Sequence, residues 1–318
     1  MAVITVRDLR KRFNLEAGFF ARFGRFVYAV NGVSFSIGER ESYGLVGESG
    51  CGKTTTARLL VRMYESDGGN ILFKEGIEVG ALKRGALKRY REKVKYVFQD
   101  PARSLNPRMS VYEVLVSGYR WSSIWPGEKQ GRSEAAALLE EVGLGRGDLE
   151  RRPAEFSGGQ RQRISIARGL LMRPDLLICD EVVSALDVSI QAQILGLLLD
   201  LRSRRNLSFL FIAHDLKVAS YFCDRIGVMY RGELMEEAPA EGLYRRALHP
   251  YTKLLFSALT GSAPDAVTAA SELKTPVTEA AGCAFADRCP LAQDRCLRER
   301  PPMRELGGGG HRIRCFMV

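Results

Sequence analysis

No run of about 18 consecutive apolar residues occurs in the 318-residue chain, and no charged-then-apolar leader opens it. The expectation is a protein that neither spans a membrane nor is exported, and so stays in the cytoplasm. In that compartment its seven cysteines are thiols or metal ligands rather than disulfides. Acidic residues are in deficit: 37 Asp and Glu stand against 47 Lys and Arg, a formal charge of +10. Such a balance suits nucleic acid, an anionic membrane surface or a polyphosphate ligand, without choosing among them. An apolar content of 46% excludes disorder for the bulk of the chain. The length allows one large domain with an extension, or two domains.

What is present centres on Gly47-Glu48-Ser49-Gly50-Cys51-Gly52-Lys53-Thr54, which fits the phosphate-binding P-loop pattern at every fixed position. The preceding Tyr43-Gly44-Leu45-Val46 reads as a buried strand and Thr55 onward as a helix. The glycines therefore lie at a strand-to-helix turn, the context the pattern requires. They let backbone N–H groups wrap phosphate oxygens, and the helix N-terminus adds partial positive charge. Lys53 is expected to reach the β- and γ-phosphates, and the Thr54 hydroxyl to ligate Mg²⁺.

Along the chain, alternation and apolar runs predict strands at 2–6, 29–37, 71–73, 94–98, 176–179 and 209–213. Helices are expected at 82–95, 134–142 and 190–201. The strand at 176–179 is apolar throughout, as a parallel strand buried on both faces would be. Between residues 15 and 28, Phe19, Phe20, Phe23 and Phe26 fall near one helical face, interleaved with Arg22 and Arg25. A short amphipathic insertion and a loop whose aromatics pack on the domain are both open readings. Gly47, Gln99, Asp180 and His214 all fall at C-terminal ends of strands, where open α/β sheets bind ligands. From 260 to 281 small and polar residues dominate, as in a flexible linker.

In this order the motifs resemble the ATP-binding subunits of ABC transporters over roughly residues 3–258. The resemblance implies an α/β P-loop ATPase with a RecA-like core, an N-terminal antiparallel β subdomain and a helical signature subdomain at about 105–170. Leu176-Leu177-Ile178-Cys179-Asp180-Glu181 looks like the Walker B strand, with Asp180 holding Mg²⁺ and Glu181 polarising the attacking water. Val182 follows Glu181 where the family usually has Pro, which puts the local turn in question. Phe156-Ser157-Gly158-Gly159-Gln160 looks like the ABC signature, with Phe in place of the common Leu, and would offer N–H groups and a hydroxyl to a γ-phosphate. Gln99 matches the Q-loop that senses Mg²⁺ and water, His214 the switch histidine, and Asp187 the end of the D-loop. By the same resemblance Gly47, Ser49, Gly50, Cys51, Gly52, Lys53, Thr54 and Thr55 hold the nucleotide, and Phe13 stacks on adenine, with Tyr28 as its competitor.

The stretches Val97 to Met109, Ser184 to Gln193 and His249-Pro250-Tyr251-Thr252 narrow the resemblance to the oligopeptide/dipeptide/nickel importer branch, and within it to the F-type subunit. Membership implies ATP-driven uptake of peptides, with nickel or another small solute as the alternative cargo. It implies a second, D-type ATPase, two membrane-spanning permease subunits and an extracytoplasmic solute-binding protein as partners, at the cytoplasmic face of the membrane. A soluble ABC-type ATPase acting on nucleic acid is the competing class. A second set of cassette motifs and a coiled-coil insertion are both missing, which argues against direct nucleic-acid binding.

The domain layout expected is an ATP-binding domain at 1–258, a linker at 259–281 and a small cysteine-bearing extension at 282–318. Cys283, Cys289, Cys296 and Cys315 resemble the C-terminal cysteine motif of this branch, which in some members binds an iron–sulfur cluster. Four thiolates suit a 4Fe-4S cluster or a structural Zn²⁺, and free thiols remain open. The gaps of five and six residues after the first two cysteines are wider than the usual zinc pairing. His311 is not expected to be a ligand. So small a segment, with few large apolar residues, would need a staple to order.

Overall fold

The computed structural model describes residues 1–14, 26–184, 186–260 and 281–318. Phe19, Phe20 and Phe23, Ala185 of the D-loop and most of the expected linker lie outside the described residues. The chain falls into two units. The first comprises Met1, Gly38–Glu41 and Ala81–Leu210; the second comprises Ala2–Ile37, Ser42–Gly80 and Phe211–Val318.

The second unit begins with β1 (Ala2–Asn14) and β2 (Phe26–Gly38), both longer than the apolar alternation alone predicts. β3 (Ser42–Val46) is buried along its whole length and leads through the glycine-rich loop into α1 (Lys53–Leu60). β4 (Gly68–Phe73) pairs antiparallel with β1, Ile4 facing Phe73 and Val6 facing Ile71. With β5 (Ile77–Glu78) these strands form a sheet in the order β2-β1-β4-β5. It corresponds to the antiparallel β subdomain expected.

In the first unit α2 (Arg84–Lys93) runs into β6 (Val94–Val97), and β6 pairs in parallel with β7 (Leu176–Asp180), Tyr96 facing Ile178. The chain between them is helical: α3 (Pro101–Ser104), α4 (Val111–Tyr119), α5 (Glu128–Glu141) and α6 (Gly158–Leu170). Ser110 starts α4 by a capping box with Glu113, each side chain bonding the other's backbone N–H. α6 packs on α3, α4 and β6, burying Ile164, Ile166 and Leu170. After β7, α7 (Val188–Arg205) ends at Asn206, whose φ of +50° suits the left-handed stop that Asn tolerates.

β8 (Ser208–Ala213) is apolar after Ser208, fully buried, and carries the chain from the first unit to the second. There follow α8 (Leu216–Phe222), β9 (Arg225–Tyr230), β10 (Glu233–Pro239), α9 (Ala240–Arg246), α10 (Pro250–Thr260), α11 (Asp294–Arg298), β11 (Arg304–Leu306) and β12 (His311–Ile313). β9 pairs in parallel with β3 and antiparallel with β10, and β12 adds antiparallel to β10 with Glu236 facing Ile313. The C-terminal segment thus extends the sheet that carries the glycine-rich loop.

What orders this segment is charge as much as apolar burial. Glu233, Glu236 and Glu237 of β10 are at most 3% exposed, and burying carboxylates is costly unless each is paired. Arg300 donates to Glu233 at 2.9 Å, as does Asn31, and Arg314 lies 3.8 Å away. His311 Nε2 is 2.7 Å from Glu236, which also accepts from the backbone N–H groups of Leu248 and His249. Glu237 is bonded by Arg225 and Arg312. His311 therefore serves a carboxylate. Among the described residues, no helix is long and apolar enough to cross a membrane.

Candidate nucleotide site

Gly47 and Gly52 show why this loop must be glycine-rich. A Cβ on Gly47 would come within 2.1 Å of the Met229 carbonyl oxygen, and one on Gly52, whose φ is +109°, within 2.0 Å of that of Ala29. No side chain could occupy either place. Gly52 is also the N-cap of α1 and contributes no side-chain cap, so the first turn keeps an end on which a phosphate can take the cap's place. Around Gly50 there is open space. The residues therefore fit a polyphosphate.

Lys53 is 4% exposed and its Nζ donates to the carbonyls of Gly47 and Glu48 at 2.8 and 2.9 Å. The ammonium is held across the mouth of the loop by its own backbone. Cys51 is buried with its Sγ 3.9 Å from that nitrogen; burial pushes the thiol's pKa up, against the pull of Lys53, so this cysteine is a packing residue. Ser49 is exposed, and Thr54 and Thr55 are half-buried. Phe13 is half-buried, edge-on to Tyr64 at 5.4 Å between centroids. Tyr28 is half-buried within β2. His214 stands exposed just beyond β8, and Asp215 beside it caps α8 by accepting from Lys217 N at 2.7 Å.

The loop and His214 belong to the second unit; Gln99, the Ser-Gly-Gly-Gln stretch, Asp180, Glu181 and Asp187 belong to the first. There the structure brings Gln99 to Glu181, Nε2 donating to Oε2 at 2.7 Å. Glu181 has a φ of +48°, an uncommon conformation for a non-glycine residue and one that turns the chain sharply off β7. Val182 and Val183, where the family's Pro is missing, are buried. Ser184 fixes this turn by donating its hydroxyl to the Glu181 carbonyl at 2.9 Å.

Asp180 is 3% exposed and accepts a hydrogen bond from the Tyr96 hydroxyl. Sequence reasoning missed Tyr96. Its signal was position: β6 and β7 are both strands ending at the ligand-binding edge, so a tyrosine near the end of one can reach an acid at the end of the other.

The signature stretch is a helix start. Ser157 caps α6, its Oγ accepting from Gln160 N at 3.3 Å, while Gln160 Oε1 accepts from Ser157 N at 2.9 Å. A Cβ on Gly159 would sit 2.6 Å from Ile190 Cγ2, so glycine lets α6 meet the start of α7 closely. Phe156 is buried beneath Arg151, whose guanidinium carbon lies 4.3 Å from the ring centroid. The Phe that departs from the family's Leu thus fills an apolar place. Asp187, the N-cap residue of α7, is exposed and makes no side-chain cap bond.

At the C-terminal end Cys283, Cys289, Cys296 and Cys315 form no disulfide. Cys283 N donates to the Cys296 carbonyl at 2.7 Å, and Cys315 Sγ accepts from Met317 N at 3.4 Å. Burial first, and then the neighbouring thiols, push Cys283 up to about 11, and burial pushes Cys289 up too. Among the described residues no group of three or more His, Cys, Asp or Glu side chains is disposed to hold a metal ion. As arranged, the cysteines fit neither a cluster nor a zinc ion.

A P-loop on a parallel strand, a Walker-type acid pair and a capped Ser-Gly-Gly-Gln helix define an ATPase of the ATP-binding cassette class. Residues 30–184 match the ABC transporter family, and residues 235–296 match the oligopeptide/dipeptide transporter C-terminal region. A putative peptide import ATP-binding protein of Brucella ovis is 44% identical, over 96% of this chain and 95% of its own. The oligopeptide transport ATP-binding protein AppF of Bacillus subtilis is 41% identical, over 99% and 97%. Among solved structures, the dimeric bacterial ABC transporter cassette MJ0796 superposes with a TM-score of 0.65 at 26% identity, over 74% of this chain and 98% of that one. CbiO1 of Clostridium perfringens, part of an ABC transporter complex, gives 0.66 at 24% identity over 77% and 91%, a likeness of fold alone. The chain belongs to the ATP-binding subunits of ABC transporters, in their oligopeptide/dipeptide branch.

Proposed function

We propose that this chain hydrolyses ATP to drive import of di- and oligopeptides across the cytoplasmic membrane, acting peripherally at its cytoplasmic face. The carrying observation is the Gln99–Glu181 hydrogen bond, which ties the candidate general base to the loop that in this family meets the transmembrane partner. The peptide cargo is supported by the names of the full-length relatives and by the match at residues 235–296.

In this reading Gly47, Ser49, Gly50, Cys51, Gly52, Lys53, Thr54 and Thr55 hold the phosphates, and Phe13 stacks on adenine. Asp180, Thr54 and Gln99 would hold Mg²⁺, which would supply neutralisation of phosphate charge. Glu181 takes the proton of the water that attacks the γ-phosphorus, the bond to the β-phosphate oxygen breaks, and ADP and phosphate leave. His214 steadies the γ-phosphate. Ser157, Gly158, Gly159 and Gln160, with Asp187, complete a site on a second, D-type ATPase, and that partner's signature completes the site here. Two permease subunits and an extracytoplasmic binding protein supply the path and the cargo. Reconstituting the chain with these partners in vesicles tests the proposal: peptide uptake that requires ATP supports it, and uptake of nickel or another solute instead of peptide replaces the cargo.

A second proposal concerns the cysteine segment. In the arrangement described the four thiols form no metal site, so a cluster or zinc there would require them to be drawn together on loading, and the cysteine pattern of the sequence is what supports it. Iron, sulfide and zinc analysis of protein purified without oxygen decides it; absence of all three leaves four thiols.

A further inference from the structure

Glu48 puts a carboxylate inside the loop assigned to a nucleoside triphosphate, where it opposes the phosphates. That charge is answered from the far end of the chain. Arg288 Nη1 donates to Glu48 Oε2 at 2.9 Å and to the Tyr230 hydroxyl at 3.4 Å, and the two charged side chains are only 13% and 15% exposed. The guanidinium lies over the rings of Tyr230 and Phe285, 5.6 and 5.8 Å from their centroids. The backbone of the same residue is also held: Glu48 N donates to the Tyr251 hydroxyl at 3.0 Å. Tyr251, from the His-Pro-Tyr-Thr stretch that the ATPase chemistry leaves without a role, is fully buried against Tyr230 at 4.6 Å and Phe285 at 5.3 Å. Arg231 fastens the turn that carries Arg288 by pairing with Asp287 at 2.7 Å. Side chain and backbone of one loop residue are thus clamped by a single aromatic block.

We propose that Arg288 is a positioning residue for nucleotide binding: it neutralises Glu48, so that the loop attracts a triphosphate only while the C-terminal segment is folded against it. This rests on the reading of residues 47–54 as the ATP site. An unanswered unit charge in the loop weakens polyphosphate binding by about tenfold at the effective dielectric of a protein surface.

The test is equilibrium binding of a fluorescent ribose-labelled ATP to the purified full-length chain. Arg288→Ala is expected to bind about tenfold more weakly, Arg288→Lys close to wild type, and Glu48→Gln at least as tightly as wild type. The double variant Arg288→Ala/Glu48→Gln should recover to within about threefold of wild type, since the charge to be neutralised is gone. A merely structural role for Arg288 would leave that double variant as weak as the single one, and this result, or wild-type affinity in Arg288→Ala, overturns the proposal. Should Arg288→Ala fail to fold by circular dichroism, Arg288→Gln, which keeps a polar side chain of intermediate length without the charge, carries the same comparison. Failure of the wild-type chain to bind the nucleotide is a separate result and overturns the ATP-site reading itself.

Discussion

Gln99 donates its amide N–H to the Glu181 carboxylate at 2.7 Å. The residue that follows, Asp100, caps α3 by accepting from Ala102 N at 2.8 Å, and Arg168 ties α3 to α6 through the Ser104 carbonyl at 2.7 Å. A shift of the 99–109 stretch would therefore reach the proposed general base through hydrogen bonds, which gives a physical route by which the proposed permease partner, if it docks there, would set the ATPase rate.

Glu181→Gln keeps the shape of this arrangement and removes the proposed proton acceptor. In the assembled complex it should lower turnover by at least about a hundredfold while nucleotide still binds. Lys53→Ala should instead weaken binding. Turnover and equilibrium binding measured side by side separate the two effects; wild-type turnover in Glu181→Gln would remove its assignment as base.

Tyr96→Phe removes the hydroxyl that donates to Asp180. An outer partner of a metal-holding carboxylate commonly contributes tenfold or more in metal affinity, so the Mg²⁺ concentration for half-maximal ATPase should rise by about tenfold. Binding of ATP in the presence of a chelator should be unchanged. A Mg²⁺ titration of both proteins checks this.

Because Ser157 caps a helix and is proposed to serve a partner's site, its loss has two readable consequences. Ser157→Ala should lower stability by about 1 kcal/mol. It should also reduce hydrolysis only in the complex with the D-type subunit. The wild-type chain alone should be a poor ATPase whose specific activity climbs when partner and permease are added; full, non-cooperative activity at high dilution would contradict the two-cassette arrangement.

His249 is 1% exposed, and its Nδ1 accepts from Tyr251 N at 3.1 Å. Burial lowers its pKa from 6.5 to about 4, against a hydrogen bond to the Arg314 backbone. The unfolded chain thus takes up this proton near pH 6.5, while the folded chain resists until near pH 4. The neutral imidazole's contribution is complete above the upper value and lost as pH falls to the lower, by about 3 kcal/mol in all. Melting temperature across this window should fall less steeply in His249→Gln than in the wild type.

Removing residues 281–318 takes away Arg300, His311, Arg312 and Arg314, and with them the C-terminal partners of Glu233, Glu236 and Glu237. Breaking a buried pair costs about 3–5 kcal/mol. The truncated chain should therefore melt far below the full one, or aggregate. Equal melting temperatures would mean that the carboxylates find other partners.

Much of the site was legible because short-range chemistry writes it. The P-loop glycines were read from their fixed spacing at a strand-to-helix turn, the Ser157–Gln160 spacing is a capping box, and apolar runs such as 176–179 are buried strands. These follow from propensity, sterics and period, which act within a few residues. The β strands at 225–230 and 233–239 were not anticipated, since a segment with Glu233, Glu236 and Glu237 reads as a solvated face.

Only the tertiary structure decided that those acids are buried, because their fate depends on arginines and a histidine supplied from residues 300–314. The same holds for Tyr96 with Asp180, 84 positions apart, and for Arg288 with Glu48, 240 apart. A lone arginine or tyrosine carries no local mark of its partner. Packing selects the partner by bringing distant charges together where water is excluded, and there an unpaired charge would not be tolerated.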